Sequence, residues 1–200
     1  MQIRVLLGLC TALILTVGAA TDASATVVTS LYGDKDGFGI GATDGAAFVW
    51  TAVGSPDAGT ITDTWVHGGQ TWSHTYDLGG LSAVTGATLE IFTGGQGWFG
   101  VSSLFVDNTF VGFLTDGDGN DGGDGQNTAH LDIFDLTPFL GLLNGAETIR
   151  VETALGGDGW VVDYSELTVE GDVMPEPTTL GLLGFGLAAL AARARRRKDA

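Results

Sequence analysis

The sequence predicts an all-β protein, a β-sandwich or jelly roll, set between an N-terminal leader and a C-terminal hydrophobic helix. Three observations lead there. Between residues 26 and 171, short apolar segments alternate with polar residues at a period of two. Turns rich in Gly, Asp and Asn separate them at close spacing, and 33 of the 200 residues are glycine. No long stretch of this region has helical period, and many short strands with tight turns are the pattern of sandwiches. Hydrophobic residues make up 44% of the chain, enough for a core and too many for a disordered acidic chain.

Residues 1–25 open with Arg4, run apolar from Val5 to Val17 and close on small residues, with Ala23-Ser24-Ala25 in the A-x-A pattern. This is a secretory signal peptide, with cleavage expected before Thr26. Its apolar run is short for a membrane span. Cys10 is the only cysteine and lies in this leader. The domain therefore has no disulfide, and something else must stabilise it.

The strands are taken in chain order. They are expected in AAFVWTAV (46–53), TWSHTYDL (71–78), ATLEIF (87–92), SSLFVD (102–107) and TFVGFL (109–114), then in AHLDIF (129–134), ETIRVET (147–153) and WVVDYSELTV (160–169). In the third, Leu89 and Ile91 oppose Thr88 and Glu90; in ETIRVET, Ile149 and Val151 point inward. Asp107-Asn108 between two apolar runs predicts a tight hairpin. The domain runs over 26–171, with no internal repeat and no linker before Gly171–Met174.

Residues 172–200 are of another kind. Leu180 to Ala192 is uncharged and apolar, and Arg193, Arg195, Arg196, Arg197 and Lys198 come after it, five of the eight cations in the chain. The positive-inside rule keeps such a cluster cytoplasmic while the segment lodges in the membrane. At helical rise the apolar stretch from Thr178 spans about 22 Å, short of the ~30 Å hydrocarbon core, which suits a temporary transmembrane helix. Pro175, Glu176 and Pro177 precede it, and two prolines hold the tripeptide extended and outside the helix. Tripeptide, apolar helix and basic cluster together resemble the PEP-CTERM sorting signal of Gram-negative bacteria. The resemblance implies an exosortase-type membrane enzyme as partner. It also implies export through the inner membrane, transient anchoring by the C-terminal helix, and delivery to the cell surface or beyond.

Two internal stretches carry a second resemblance. SSLFVDNTFVGFL is similar to a strand–turn–strand of galactose-binding-like jelly rolls. FDLTPFLGLLNGAETIRVE (Phe134–Glu152) is similar to the next stretch of the same fold, in which a strand ends in Asp-apolar-Thr, a turn or short helix intervenes, and an Asn/Gly turn leads into the next strand. These are structural motifs and transfer no site residues.

Between residues 26 and 174 there are 21 carboxylates and two cations, Lys35 and Arg150, a net charge of −19. Such a surface repels nucleic acid and anionic lipid and suits divalent cations or neutral partners. In TDGDGNDGGDGQN, Asp116, Asp118 and Asn120 fall at i, i+2 and i+4, the spacing of the first half of a calcium loop. Asp121 occupies the sixth position, where an EF-hand has glycine, and Asn127 stands where its bidentate Glu belongs, so Asp121 and Asp124 would complete a different geometry. Asp34 and Asp36 form a second i, i+2 pair. In calcium-binding jelly rolls an N-terminal loop and the last strand share one ion, which implies Asp163 as partner of that pair. The alternative at both places is a plain Gly/Asp-rich turn.

No catalytic set emerges. His67, His74 and His130 lack zinc spacing, no nucleophile elbow accompanies any Ser/His/Asp set, and the glutamates sit at alternating strand positions that a solvated face explains. The expectation is a protein that is not an enzyme. Each of the five tryptophans fits the sandwich core first; Trp98 and Trp160, which come after glycine-rich turns, are the pair best placed to be exposed instead, as a platform on which sugar rings stack. Two functions remain: a structural or matrix component associated with extracellular polysaccharide, or a calcium-assisted carbohydrate-binding module. Aromatic side chains on an open face with polar neighbours would favour the second.

Overall fold

The alternation seen in the sequence becomes two facing antiparallel sheets. The computed structural model describes residues 25–54, 59–97, 100–116, 127–153, 159–173 and 177–196. Its strands are β1 (Ala25–Gly33), β2 (Ala47–Phe48), β3 (Val66–His67), β4 (Gln70–Thr75) and β5 (Leu81–Gly94), then β6 (Ser103–Val106), β7 (Thr109–Phe113), β8 (Asn127–Asp135), β9 (Ala146–Glu152) and β10 (Gly159–Val173). A helix, α1 (Pro177–Arg196), comes last. One sheet runs β1-β10-β5-β8-β2, with β3 also paired to β10; the other runs β4-β9-β6-β7. The fold is a β-sandwich.

Period-two alternation explains the core. Leu89 and Ile91 of β5 and Leu167 and Val169 of β10 point inward, against Leu104, Val106, Ile149 and Val151 of the smaller sheet, and all are buried. Each such side chain contributes about 1.5–3 kcal/mol through removal from water. A second cluster lies at one end of the larger sheet. There Phe38 stacks on Phe92, with ring centroids 5.0 Å apart, beside Tyr164, Val161 and Ala129.

The motifs similar to a jelly roll take the implied form. Asp107 and Asn108 have φ of 45° and 65° and join β6 to β7 in a two-residue hairpin. After β8, residues Thr137–Leu142 make a short 3-10 helix, and Asn144-Gly145 turns the chain into β9.

Three expectations need correction. Residues 46–53 are not one strand: only Ala47–Phe48 pairs, and Trp50–Ala52 is a 3-10 turn. Glu147 is not on a solvated face. It shares the inward register of Ile149 and Val151 and is fully buried, and its Oε1 accepts from the backbone N–H groups of Asn144 and Gly145 at 2.5 and 3.1 Å. Finally, among the described residues no helix is long and apolar enough to cross a membrane. In α1 the uncharged segment ends at Ala192, and Arg193, Arg195 and Arg196 fall in the last turns. Leu180 to Ala192 covers about 20 Å, against a hydrocarbon core of ~30 Å.

Candidate metal centre

Three distant parts of the chain meet at the end of the sandwich capped by Phe38. β1 ends at Gly33 and passes into a tight loop carrying Asp34 and Asp36. β10 runs beside it, with Gly33 opposite Tyr164. On the other side of β10, Val162 pairs with Thr93 and Tyr164 with Phe92, so Asp163 is an extra residue in the ladder. A bulge of this kind re-aims a side chain. The pairing of β3 with β10, Val66 against Trp160, brings in the segment just before β3, which carries Asp63. The Asp63 N–H bonds Val162 O at 2.8 Å.

One carboxylate oxygen from each of Asp34, Asp36, Asp63 and Asp163 lies within 4.8 Å of the others. Asp63 and Asp163 are buried; Asp34 and Asp36 are exposed. Local bonds hold the loop in shape. Asp36 N–H donates to Asp34 Oδ1 at 3.1 Å, Gly39 N–H to Asp36 Oδ1 at 2.5 Å, and Phe38 N–H to Asp163 Oδ1 at 2.8 Å. Among the described residues, Asp163 Oδ2 is buried with no hydrogen-bond donor in place, and the Asp36 carboxyl lies close enough to share a proton with Asp163. Burial pushes the Asp163 carboxyl up to about 6; the Phe38 N–H pulls it back, and Asp36 and Asp34 push it further up. Lys35, the cation of this loop, turns to the outer face, where it pairs with Glu166, lies 3.8 Å from Glu90 and sits over the Tyr164 ring.

An all-oxygen donor set suits a hard divalent cation, and the lone buried oxygen of Asp163 is the kind of group such an ion satisfies. Two exposed carboxylates leave room for water in the coordination sphere, a requirement calcium tolerates well. A cavity of about 260 Å³, lined by Asp163, Lys35, Asp44 and Tyr164 among others, opens beside the cluster.

The implied partnership of Asp34, Asp36 and Asp163 is what the structure brings together. Asp63 was not anticipated; no spacing ties it to the other three, and its N–H bond to Val162 O together with the β3–β10 pairing does. Asp116 stands apart, with its carboxylate against the backbone of Gly97. Asp118, Asn120, Asp121 and Asp124 lie outside the described residues, as do Trp98, Pro175 and Glu176. Trp160 is corrected: it is fully buried, and its Nε1–H donates to Gly68 O at 2.9 Å. β10 has already begun at Gly159, so the residue after the glycine turn is committed to the core.

Gly33 makes the site possible. Its φ is +91°, and a Cβ there would fall 2.1 Å from the carbonyl oxygen of Asp163. Left-handed backbone costs an L-residue about 1–2 kcal/mol, and overpacking typically ~1–3 more. Gly33→Ala is therefore expected to lower stability by about 2–5 kcal/mol in urea unfolding. A loss under ~0.5 kcal/mol would show that the β1–Asp163 contact is not tight.

Residues 175–197 match the PEP-CTERM protein-sorting motif. That motif is the exosortase recognition signal, and the chain carries the mark of an exported protein sorted to the cell surface of Gram-negative bacteria. No curated protein matches the chain. Among solved structures, it is similar to a glycoside hydrolase family 86 enzyme in complex with neoagarooctaose, at 11% identity over 73% of this chain and 19% of that one, with a TM-score of 0.34. It is also similar to a β-porphyranase of the same family from the human gut bacterium Bacteroides plebeius, at 17% identity over 57% and 20%, TM-score 0.34. A third is dimeric latent PorU from Porphyromonas gingivalis, at 10% identity over 78% and 14%, TM-score 0.40. The chain thus spans a fifth or less of these proteins, and the scores are too low for the likeness to carry any argument.

Proposed function

We propose that this protein is a non-enzymatic component of the cell-surface matrix, a β-sandwich tied together by calcium and associated with extracellular polysaccharide. The sorting motif supports the destination. The observation that carries the calcium tie is Asp163, a buried carboxylate on a bulge whose oxygens lie among those of three further carboxylates. An ion held by Asp34, Asp36, Asp63 and Asp163 ties β1, the segment before β3 and β10 to one point. It does for a cysteine-free domain what a disulfide does elsewhere. Transient anchoring belongs to the same proposal: α1 is short for a span, and its arginines reach the headgroups by snorkelling while the exosortase acts.

Thermal unfolding of the full chain tests the ion. If calcium binds only the folded state, a hundredfold excess over Kd adds about 2.7 kcal/mol. At this chain length that is on the order of 5–10 °C in Tm. The melting temperature is expected to fall by this amount in chelator, and Asp163→Asn should abolish the difference. Identical melts in millimolar calcium and in chelator would sink the proposal.

A further inference from the structure

The outer face of the smaller sheet differs from the rest of the surface. Its outward residues are Thr71, Ser73 and Thr75 on β4, Thr148, Arg150 and Glu152 on β9, Ser103 and Phe105 on β6, and Phe110 and Phe113 on β7. Phe110 and Phe113 are three apart, a spacing that strict alternation would put on opposite faces. The register explains why it does not. Phe105 pairs with Phe110 while Leu104 pairs with Gly112, so Val111 is an extra residue, tucked toward the core. Gly112 lets the strand lie close on Phe134, whose ring would be 2.8 Å from a Cβ at that position. The three phenyl rings form one edge-to-face row, with centroids 5.8 Å apart for Phe105–Phe110 and 5.0 Å for Phe110–Phe113. Arg150 extends the row, its guanidinium 4.1 Å from the Phe105 centroid.

Phe110 and Phe113 keep 46% and 56% of their surface open to solvent, on the edge strand of the sheet. The rings support one another and Arg150, yet about half of Phe110 and Phe113 stays open to water in one contiguous row, the kind of exposed apolar strip that marks a binding site. Charge chooses among occupants. Arg150 pairs with Glu152, so these outward positions carry no net charge. The outward face of the larger sheet, by contrast, carries Glu90, Glu166, Glu170 and Asp135. An acidic polymer finds no excess cation on the smaller sheet, and acidic lipid is repelled by the −19 of the domain. A protein partner would meet a strip of Thr and Ser hydroxyls over half the face, where interface cores are aromatic and apolar. A sugar chain has both characters at once: C–H faces that stack on rings and hydroxyls that exchange hydrogen bonds with Ser, Thr and a guanidinium.

The geometry points to a binding strip for neutral polysaccharide along Arg150, Phe105, Phe110 and Phe113, edged by the hydroxyls of Ser103, Thr71 and Ser73. This deepens the matrix reading and rests on its polysaccharide partner, but not on calcium. The test is affinity electrophoresis of the full chain in gels containing hydroxyethylcellulose or dextran, and in parallel alginate, at low salt and at about 0.5 M. Retardation by a neutral polymer is expected to survive salt and to drop at least tenfold in affinity in Phe110→Ala/Phe113→Ala. Both side chains are about half open, so the variant should lose only a few degrees in Tm and keep the wild-type far-UV circular dichroism at the assay temperature. Equal retardation of variant and parent moves the site elsewhere and overturns this inference while the polysaccharide association stands. No retardation by any polymer removes both. Binding to alginate alone, abolished by chelator, transfers the role to the aspartate cluster. A dimer in light scattering that the double substitution dissociates would make the strip a self-association edge instead.

Discussion

Trp160→Ala is expected to cost about 3–5 kcal/mol, the range for deleting a fully buried large aromatic side chain. Trp160 has no exposed surface, sits at the start of the longest strand and donates its indole N–H to Gly68 O. Removing it opens a cavity and strands a carbonyl oxygen. At this chain length the loss corresponds to a fall in Tm on the order of 10 °C. Trp160→Phe keeps much of the volume but loses the donor, so about 1–3 kcal/mol should go. Urea unfolding reads both. A ring serving as an exposed sugar platform would give the opposite outcome, with stability unchanged and binding lost, and that result would overturn the burial of Trp160.

Acid should weaken the fold through His74. Its ring is buried; Nδ1 lies 3.1 Å from Ser30 Oγ and Nε2 2.9 Å from Ser165 Oγ. Glu147 faces it in register across β9, and the charge of Glu166 acts on it from β10. Burial dominates and brings its pKa down from 6.5 to about 4, against the opposing pull of Ser30 and Glu166. The folded state then holds fewer protons than the unfolded state between those values, so falling pH favours unfolding. The contribution is complete above pH 6.5 and is lost progressively down to about pH 4, on the order of 3 kcal/mol in all. Asp163 works the other way in metal-free protein: its raised carboxyl pKa makes stability fall as pH rises from 3.8 toward 6. The His74 effect is therefore read as the difference between wild type and His74→Gln across that window. The advantage of wild type should shrink with acid, and a flat difference would mean that His74 is not held neutral by the fold.

How far the sequence reaches depends on which physical signal each residue leaves. β9 and the middle of β5 are legible because one face of each is buried, and burial writes a period of two; β10 from Trp160 to Ser165 is buried on both faces and is legible from its run of Val, Tyr and Trp. β1 is not, since Val27 and Leu31 face solvent while Val28, Ser30 and Tyr32 face inward; its apolar residues sit on both sides. Glu147 shows the limit of residue type against register: the alternation of Ile149 and Val151 already assigned it inward. Asp34, Asp36 and Asp163 could be joined only through likeness to other jelly rolls. Asp63 could not be joined at all, because its place depends on a two-residue pairing with β10. The phenylalanine strip was hidden by a bulge, which breaks the parity on which face assignment rests.

The pairing of β1 with β10 has a consequence for how the protein meets its surroundings. Ala25 lies opposite Asp172, and Gly33 opposite Tyr164. The two ends of the sandwich, Ala25 and Asp172, thus lie side by side at one pole. The aspartate cluster occupies the other, ten strand residues away from Val173 at Asp163, or about 33 Å at strand rise. In the proposed transient anchoring, where both ends lead to the inner membrane, the cluster lies at the pole farther from them. The calcium ion proposed for the cluster would then exchange with the medium at that far pole, and its occupancy would follow the calcium there rather than the charge of the lipid.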